Sequence, residues 1–212
     1  MIDEGDVLVR WYQAVQRRRV GLAQAMRAAQ LPPDARAIAE QLATAHSEAE
    51  RALRALLVER AATSAVAERL RSVPGFGPQS AAVVALLAAP ARPYRTVGQC
   101  WRRCGLDPTA ATTVWRRVRK QAVLVVVGAL LRARRHRSVQ EANAPLFARY
   151  DRAREAALAR GWTAARAQLH ARRVLAKWLL VGAVALALGP ERPPHVEALW
   201  DAIDRWPEGG AT

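Results

Sequence analysis

The residues best placed to bind a ligand form a glycine-containing turn between two short apolar segments. Residues 73–77 read Val-Pro-Gly-Phe-Gly, with Leu70 before them and apolar residues from Ala81 onward. Glycine lacks a Cβ, so the backbone can turn sharply and approach a ligand closely. The N–H groups that begin the following helix, at the positive end of its dipole, favour a phosphate. The pattern predicts a helix-hairpin-helix that holds phosphates; a turn that serves packing alone is the alternative.

Three groups of basic residues supply further positive charge after the turn. One follows Trp101, a second extends from Trp115 to Lys120, and a third ends an apolar segment at residues 132–137. Arginine suits phosphate because its guanidinium offers a fork of donors, and Trp115 can stack on an unpaired base. Cations at a helix C-terminus are also favourable without a ligand, which is the alternative for the third group. The predicted nucleic-acid-binding residues are Gly75, Phe76, Gly77, Gln79, Ser80, Arg102, Arg103, Trp115, Arg116, Arg117, Arg119, Lys120, Arg132, Arg134, Arg135 and Arg137.

Candidates for catalysis are few. Metal-assisted phosphoryl transfer needs several carboxylates that converge on the metal, and the four acids of residues 71–189 are scattered in the sequence. Thr112 and Thr113 lie near positive charge and are the candidate nucleophiles, but no base stands beside them in the sequence. We therefore expect binding rather than turnover, without a metal or a cofactor.

The distribution of charge supports the same expectation. The chain of 212 residues has 33 Lys and Arg residues, 18 Asp and Glu residues and a formal net charge of +15 at pH 7. Residues 71–189 contain 21 of the basic residues and only four of the acidic ones, whereas the two flanking segments carry little net charge. A positive field confined to one segment points to a polyanionic partner, of which nucleic acid is the commonest.

The sequence predicts a cytoplasmic, nucleoid-associated protein without a membrane partner. Its first six residues are acidic rather than basic and apolar, unlike a signal peptide. The longest apolar run, residues 178–188, is shorter than the ~20 residues that span a bilayer. Cys100 and Cys104 lack the further ligands of a zinc site, and in the cytoplasm we expect them to be reduced and buried.

Helical periodicity extends over the whole chain, and the predicted fold class is all-α. Two long helices, at about residues 6–30 and 34–61, are separated by two prolines. The second carries a heptad-spaced apolar stripe, the heptad stripe, formed by Ile38, Leu42, Ala45, Ala49, Ala52 and Leu56. This spacing is typical of a helical hairpin or coiled-coil arm, and an ordinary bundle helix is the alternative. The arm predicts self-association into a homodimer or a larger homo-oligomer.

The predicted segments are a helical arm (residues 1–64), a compact basic domain with the helix-hairpin-helix (residues 65–189) and an acidic tail (residues 190–212). Within the basic domain, the two hairpin helices are predicted at residues 65–72 and 78–89. A basic segment at residues 112–120 precedes a core helix at 122–131, and a polar loop is predicted at 138–145.

From about Leu8 to Leu188 the chain resembles the C-terminal part of the DEDD-type insertion-sequence transposases, which include the bridge-RNA-guided recombinases and the Piv-like invertases. The likeness is carried, in order, by Leu70-Arg-Ser-Val-Pro-Gly-Phe-Gly-Pro-Gln-Ser-Ala81, Tyr94-Arg-Thr-Val-Gly-Gln-Cys-Trp-Arg-Arg-Cys-Gly105-Leu106-Asp107-Pro108, Pro145-Leu-Phe-Ala-Arg-Tyr150, Arg160-Gly161 and Ala171-Arg-Arg-Val-Leu-Ala-Lys-Trp-Leu-Leu180. A long helical arm precedes this domain in the family. The resemblance implies nucleic-acid binding and self-association.

Two departures from the family separate this chain from recombination chemistry. Family members carry an N-terminal RuvC-like domain with four metal-binding acids, which this chain is expected to lack. After the turn at residues 105–108 the family has a Ser-Ser-Gly segment whose serine is the proposed nucleophile. Here the sequence reads Thr109-Ala-Ala-Thr112-Thr113-Val-Trp115, with no serine.

The favoured hypothesis is a non-catalytic, transposase-derived DNA-binding protein that holds phosphates largely without regard to base sequence. One alternative is a recombinase or transposase subunit that uses Thr112 or Thr113, or that is completed by a catalytic partner. A second alternative is an RNA-binding module of a ribonucleoprotein.

Overall fold

The structure is a computed structural model that describes residues 2–89, 94, 97–109 and 111–188. These residues form nine helices and no strand, which confirms the predicted all-α class. The helices are α1 (Glu4–Ala28), α2 (Pro33–Arg60), α3 (Ala65–Ser72), α4 (Pro78–Ala88), α5 (Val97–Arg103), α6 (Val114–Ala133), α7 (Arg137–Ala142), α8 (Ala144–Ala159) and α9 (Ala164–Leu188). The acidic tail predicted at residues 190–212 lies outside the described residues.

Helices α1 and α2 lie against each other. Asp3 caps α1, because its side chain accepts the N–H of Asp6 while the Asp6 carboxylate accepts the N–H of Asp3. Helix α2 begins at a proline, whose missing N–H is not needed in a first turn. Arg19 of α1 donates to the carboxylate of Glu50 on α2 at 2.5 Å.

The contact between α1 and α2 uses a different face of α2 from the one that the heptad spacing predicts. All six residues of the heptad stripe are exposed, Ile38 by 60% and Leu42 by 48%. The buried face instead includes Leu57, with Leu53 partly buried behind it. Leu57 belongs to the main hydrophobic core, so this face joins α2 to the rest of the fold, whereas the large residues of the stripe stay exposed.

The core is built around α4 and α9. Helix α4 is buried on nearly every side from Ala81 to Ala88, as expected for a helix that is apolar all round. Helix α9 packs against α3, α4, α5, α6 and α8. Val9 of α1 and Leu57 of α2 belong to the same core as these helices. The base of the α1–α2 pair is therefore continuous with the core of the basic segment.

Of the predictions for residues 112–145, the core helix is confirmed but is longer than expected, and the polar loop is wrong. The basic segment and the apolar segment after it form one helix, α6, whose first turns carry the cations. The predicted polar loop is mostly helical, since α7 ends at Ala142 and α8 begins at Ala144. Asn143, between them, donates to the carbonyl oxygens of Val139 at 2.9 Å and Pro74 at 2.8 Å. Asn143, a polar residue of the predicted loop, thus links the α7–α8 junction to the hairpin turn by a hydrogen bond.

A buried cluster of charges joins the start of α1 to α5 and α6. The carboxylate of Asp6 is 2.8 Å from Arg103 and is also hydrogen-bonded by both Arg119 Nε, at 2.6 Å, and Arg119 Nη2. Arg103 also contacts Asp3 at 2.6 Å. Burial raises the pKa of Asp6, but the hydrogen bonds from Arg119 and Arg103 outweigh it and hold this pKa below its ordinary value of 3.8.

The two cysteines are free and fully buried on and just after α5, in agreement with the predicted buried pair. A hydrogen bond with Cys104, together with burial, raises the pKa of the Cys100 thiol. Tyr94 is buried beside them and donates its hydroxyl to the carbonyl of Leu87 at 2.8 Å. Among the described helices, none combines the length and hydrophobicity that a membrane crossing needs.

Candidate nucleic-acid interface

A cavity of about 290 Å³ opens between the loop after α5, the first turns of α6 and the middle of α9. We name it the cationic cavity after the five basic residues that line it: Arg116, Arg117, Lys120, Arg173 and Lys177. Leu106, Pro108 and Val174 contribute apolar lining, and Thr112 and His170 contribute polar groups. The cavity therefore combines a dense positive charge with an apolar surface.

Local structure explains how these cations come together. The Thr113 hydroxyl caps α6 by accepting the N–H of Arg116 at 3.2 Å, which fixes the first turn. On α9, residues 170, 173, 174 and 177 share one face, because side chains three or four positions apart lie above one another. Gly105 has φ +65°, and a Cβ there would lie 2.8 Å from the carbonyl oxygen of Arg116. Glycine thus lets the loop pack directly on α6.

The cavity has little negative charge to balance its cations. Neither α6 nor α9 contains an acidic residue. Asp107 belongs to the lining, but its carboxylate accepts the Thr109 hydroxyl at 2.7 Å and is 3.5 Å from Arg102. Burial and the nearby charge of Arg173 lower the pKa of Lys120. A bound anion would relieve this mutual repulsion, so the geometry favours phosphate.

Arg103 and Arg119 were expected among the phosphate-binding residues, and the structure corrects this prediction. Arg119 is 5% exposed and hydrogen-bonded to Asp6, while the Arg103 side chain is 17% exposed and paired with Asp3 and Asp6. Their guanidinium groups neutralise buried carboxylates, and the two side chains line an open groove beside Trp115. The two arginines therefore hold α1, α5 and α6 together.

The hairpin turn between α3 and α4 needs its first glycine for packing. Gly75 has φ +96°, and a Cβ there would lie 2.9 Å from both Leu130 and Val139. Phe76, also expected to contact nucleic acid, is 5% exposed and belongs to the core. These two residues support the interpretation of a packed turn.

The second glycine of the turn is open to a ligand. Gly77 is exposed and begins α4 without a side-chain cap, and a Cβ at this position would have no neighbour within 4 Å. Gln79 and Ser80, in the first turn of α4, are half-buried. The first N–H groups of α4 are thus the part of the turn that suits a phosphate.

Gln79, Ser80 and Arg132 line a second cavity of about 280 Å³, which lies between α1, α2, α4 and α6. We name it the four-helix cavity. The two cavities contact opposite faces of α6, because 3.6 residues per turn place Lys120 on one side and Ala129 on the other. The predicted residues that line these two cavities therefore lie on separate surfaces.

The remaining predicted residues lie outside both cavities. Arg102 and Arg135 are exposed, and Trp115 is half-buried with the guanidinium of Arg10 4.9 Å from its ring. Arg134 is paired with Asp151 through two hydrogen bonds of 2.8 and 2.6 Å. Arg137 is paired with Glu141 but is 91% exposed, so it remains accessible to a ligand.

The two threonines occupy different places. Thr113 caps α6, whereas Thr112 is exposed and lines the cationic cavity. His170 lines the same cavity, so a group able to accept a proton shares this cavity with Thr112, which the sequence did not indicate. Within the described residues, no three His, Cys, Asp or Glu side chains are grouped to hold a metal.

Sequence reasoning missed the contribution of α9 to the site. Arg173 had the appearance of a solvated charge, and His170 and Lys177 stood alone in the sequence. The available signal was their spacing, since residues 170, 173 and 177 share one helix face without an acid in the helix. Comparison with protein-family models, curated proteins and solved structures gives no match.

Proposed function

We propose that this protein binds nucleic acid, and DNA in particular, by capturing backbone phosphates, and that it derives from a transposase without itself performing catalysis. The cationic cavity carries the proposal. It gathers five cations on two acid-free helices, around a concave surface that admits a phosphate group. The transposase origin rests on the motifs quoted above.

The distribution of positive charge supports a polyanion over a small acidic ligand. Exposed arginines, including Arg102, Arg135 and Arg137, lie outside the cavity on other parts of the surface. A small anion would contact the cavity alone, whereas a nucleic acid is long enough to contact the exposed arginines outside it as well. The first N–H groups of α4, next to Gly77, add a further phosphate-binding element.

The proposal is tested by fluorescence anisotropy with a DNA duplex at increasing salt concentration. A double variant, Arg117→Gln with Arg173→Gln, removes two exposed cations of the cavity. The slope of log affinity against log salt should become shallower by about 0.9 for each lost phosphate contact, roughly 1.8 in total. The matched control, Arg36→Gln with Arg51→Gln, removes two exposed cations of α2 and should leave the slope unchanged. Absence of duplex binding at low salt, or equal slopes for both variants, would refute the proposal.

A second candidate is phosphoryl transfer with Thr112 as the nucleophile. It is favoured by one observation: His170 lines the same cavity as Thr112, and a neutral imidazole can accept the proton of a hydroxyl. Thr112→Val should then abolish cleavage or exchange of strands while affinity for DNA stays the same. A DNA-binding protein without this activity shows no cleavage before or after the substitution.

Structured RNA is the other candidate ligand, and competition separates it from DNA. Unlabelled duplex DNA, a four-way DNA junction and structured RNA are titrated against a labelled duplex. A DNA-binding protein releases the labelled duplex at lower concentrations of the DNA competitors. Release by the RNA at much lower concentrations would assign the cavity to an RNA-binding module.

We also propose that the protein self-associates through the heptad stripe of α2. The stripe is exposed along its length, and its 3.5-residue spacing matches a second helix with the same spacing. Its ends are large, at Ile38 and Leu56, and its centre is small, at Ala45 and Ala49. An antiparallel second copy of α2 would pair Ile38 with Leu56 and Ala45 with Ala49, and would place the large side chain of Leu42 against the small Ala52.

A further inference from the structure

The floor of the four-helix cavity is a buried polar cluster. Tyr12 and Glu50 are 3% and 4% exposed, and the Tyr12 hydroxyl donates to Glu50 Oε1 at 3.4 Å. Burial, with the negative charge of Glu50, raises the pKa of Tyr12, so the hydroxyl stays protonated. The side-chain amides of Gln16, at 2.9 Å, and Gln79 donate to the same hydroxyl. Each amide also presents a carbonyl acceptor, so the floor offers both donors and acceptors.

The walls of this cavity are apolar and its mouth is basic. Val9, Val83 and Val126, on three different helices, line the walls. The mouth carries three arginines, Arg19, Arg54 and Arg132. The side chains of Arg19 and Arg54 are 36% and 51% exposed, and both pair with Glu50, while Arg132 is exposed on α6.

We propose that the four-helix cavity takes one unpaired nucleotide, with its base inside and its phosphate at the mouth. This inference rests on the proposed function, since it names a nucleic-acid feature that the protein recognises. A nucleobase has apolar faces and an edge of donors and acceptors, which match the valine walls and the Tyr12–Glu50–Gln floor. Arg132 at the mouth is the cation placed for the phosphate, since Arg19 and Arg54 pair with Glu50.

The buried carboxylate decides which part of the nucleotide enters. Glu50 already engages Arg19 and Arg54 in ion pairs at the floor, so the anionic part of the ligand stays at the mouth, beside Arg132. A site for phosphate alone has no need of a buried tyrosine, two amides and apolar walls. The cavity of about 280 Å³ lies near the lower limit of small-ligand cavities, which are about 300 Å³ and larger, and suits a single base.

A paired base within a duplex cannot reach the floor of a recess between four helices. Extrusion of a paired base costs a few kcal/mol, and this cost is smallest for a base that is already unpaired. The inference therefore predicts a preference for a duplex with one unpaired nucleotide over a fully paired duplex of the same length. The cationic cavity, on the opposite face of α6, does not contribute to this preference.

The test uses fluorescence anisotropy with these two duplexes and two matched variants of the full chain. Val125 and Val20 are both 40% exposed, but only Val125 lines the four-helix cavity. Val125→Trp should block the mouth without disturbing the core, and Val20→Trp serves as its control. The wild type and Val20→Trp should bind the bulged duplex roughly tenfold more tightly than the paired one.

Val125→Trp should bind both duplexes with the same affinity, equal to that of the wild type for the paired duplex. Arg132→Ala should reduce the preference as well, because it removes a cation from the mouth. Equal affinities of the wild type for both duplexes, or a preference that survives in Val125→Trp, would overturn the inference while leaving the proposed function intact. Absence of binding to either duplex would instead refute the proposed function.

Discussion

Asp6 connects three elements through a single carboxylate. It completes the capping box of α1 and accepts hydrogen bonds from Arg103 and Arg119, which lie 97 and 113 positions further along the chain. Sequence reasoning assigned both arginines to nucleic acid because the only visible pattern was a local run of positive charge. The partner of each is distant in sequence, and no local spacing reveals it.

Asp6→Asn tests the structural importance of this cluster. The substitution leaves the buried guanidinium of Arg119 without its carboxylate, while Arg103 keeps Asp3, and breaking a buried ion pair costs about 3–5 kcal/mol. We expect the free energy of unfolding, measured by urea denaturation, to fall by about this amount. The control is Glu4→Gln, which removes an exposed partner of Arg60 and should leave stability nearly unchanged. An equally small effect of Asp6→Asn would show that the cluster is dispensable.

The same carboxylate predicts how stability depends on pH. The pKa of Asp6 in the folded protein lies below its ordinary value of 3.8, so the group binds its proton less tightly when folded. Its contribution is fully present above pH 3.8 and is lost as the pH falls through the folded-state pKa. The difference in unfolding free energy between the wild type and Asp6→Asn should therefore be constant near neutral pH and shrink below about pH 4. A difference that stays constant in strongly acidic solution would contradict this linkage.

At the scale of single elements, local signals predicted the hairpin well. The starts of α3 at Ala65 and of α4 at Pro78 agree with the structure, because a serine cap, a proline and two glycines mark them. The face of α2 that packs on α1 is not the heptad stripe, because two neighbouring apolar rows exist and only tertiary packing selects the one with Leu57. The cationic cavity was predicted in part, through Arg116, Arg117 and Lys120, whereas the contribution of α9 required the fold.

Substitutions at the two glycines of the hairpin turn test whether packing of the turn depends on Gly75. Gly75→Ala should lower the unfolding free energy by about 2 kcal/mol or more, because the backbone there is left-handed and the new Cβ meets Leu130 and Val139. Gly77→Ala should cost about 1 kcal/mol or less, since this helix-capping position is open.

Gly21, inside α1 with nothing within 4 Å of a Cβ, supplies the opposite control. Gly21→Ala should raise stability by about 0.5–1 kcal/mol, because alanine favours a helix over glycine. Thermal and urea unfolding of all three variants check this order. Similar effects of Gly75→Ala and Gly77→Ala would show that the turn does not depend on the left-handed glycine.

At the scale of the whole molecule, three surfaces of different chemistry lie at different places in the fold. The cationic cavity and the four-helix cavity contact opposite faces of α6, while the heptad stripe lies on α2. Composition indicated a polyanion partner, since 21 of the 33 basic residues fall in residues 71–189. It gave no information on how the fold divides these charges between buried ion pairs and open surface.

Self-association through the heptad stripe is the prediction that belongs to this scale. Leu42→Glu places a charge on the stripe without touching the core, because Leu42 is 48% exposed. In sedimentation velocity we expect the wild type to form dimers and Leu42→Glu to remain monomeric. Thr44→Glu, on the same helix but outside the stripe, should dimerise like the wild type. A wild-type protein that is monomeric at high concentration would rule out this contact.

The buried thiols can be used to measure local opening of the packing around α5. Cys100 and Cys104 are the only two cysteines of the chain and have no exposed surface. A thiol-reactive dye can label them only after the packing around α5 opens, so the labelling rate measures the free energy of that opening. Because α5 packs against α9, which lines the cationic cavity, a bound phosphate ligand should slow the labelling. The labelling rate of the two buried cysteines would thus report the binding of a ligand at the surface.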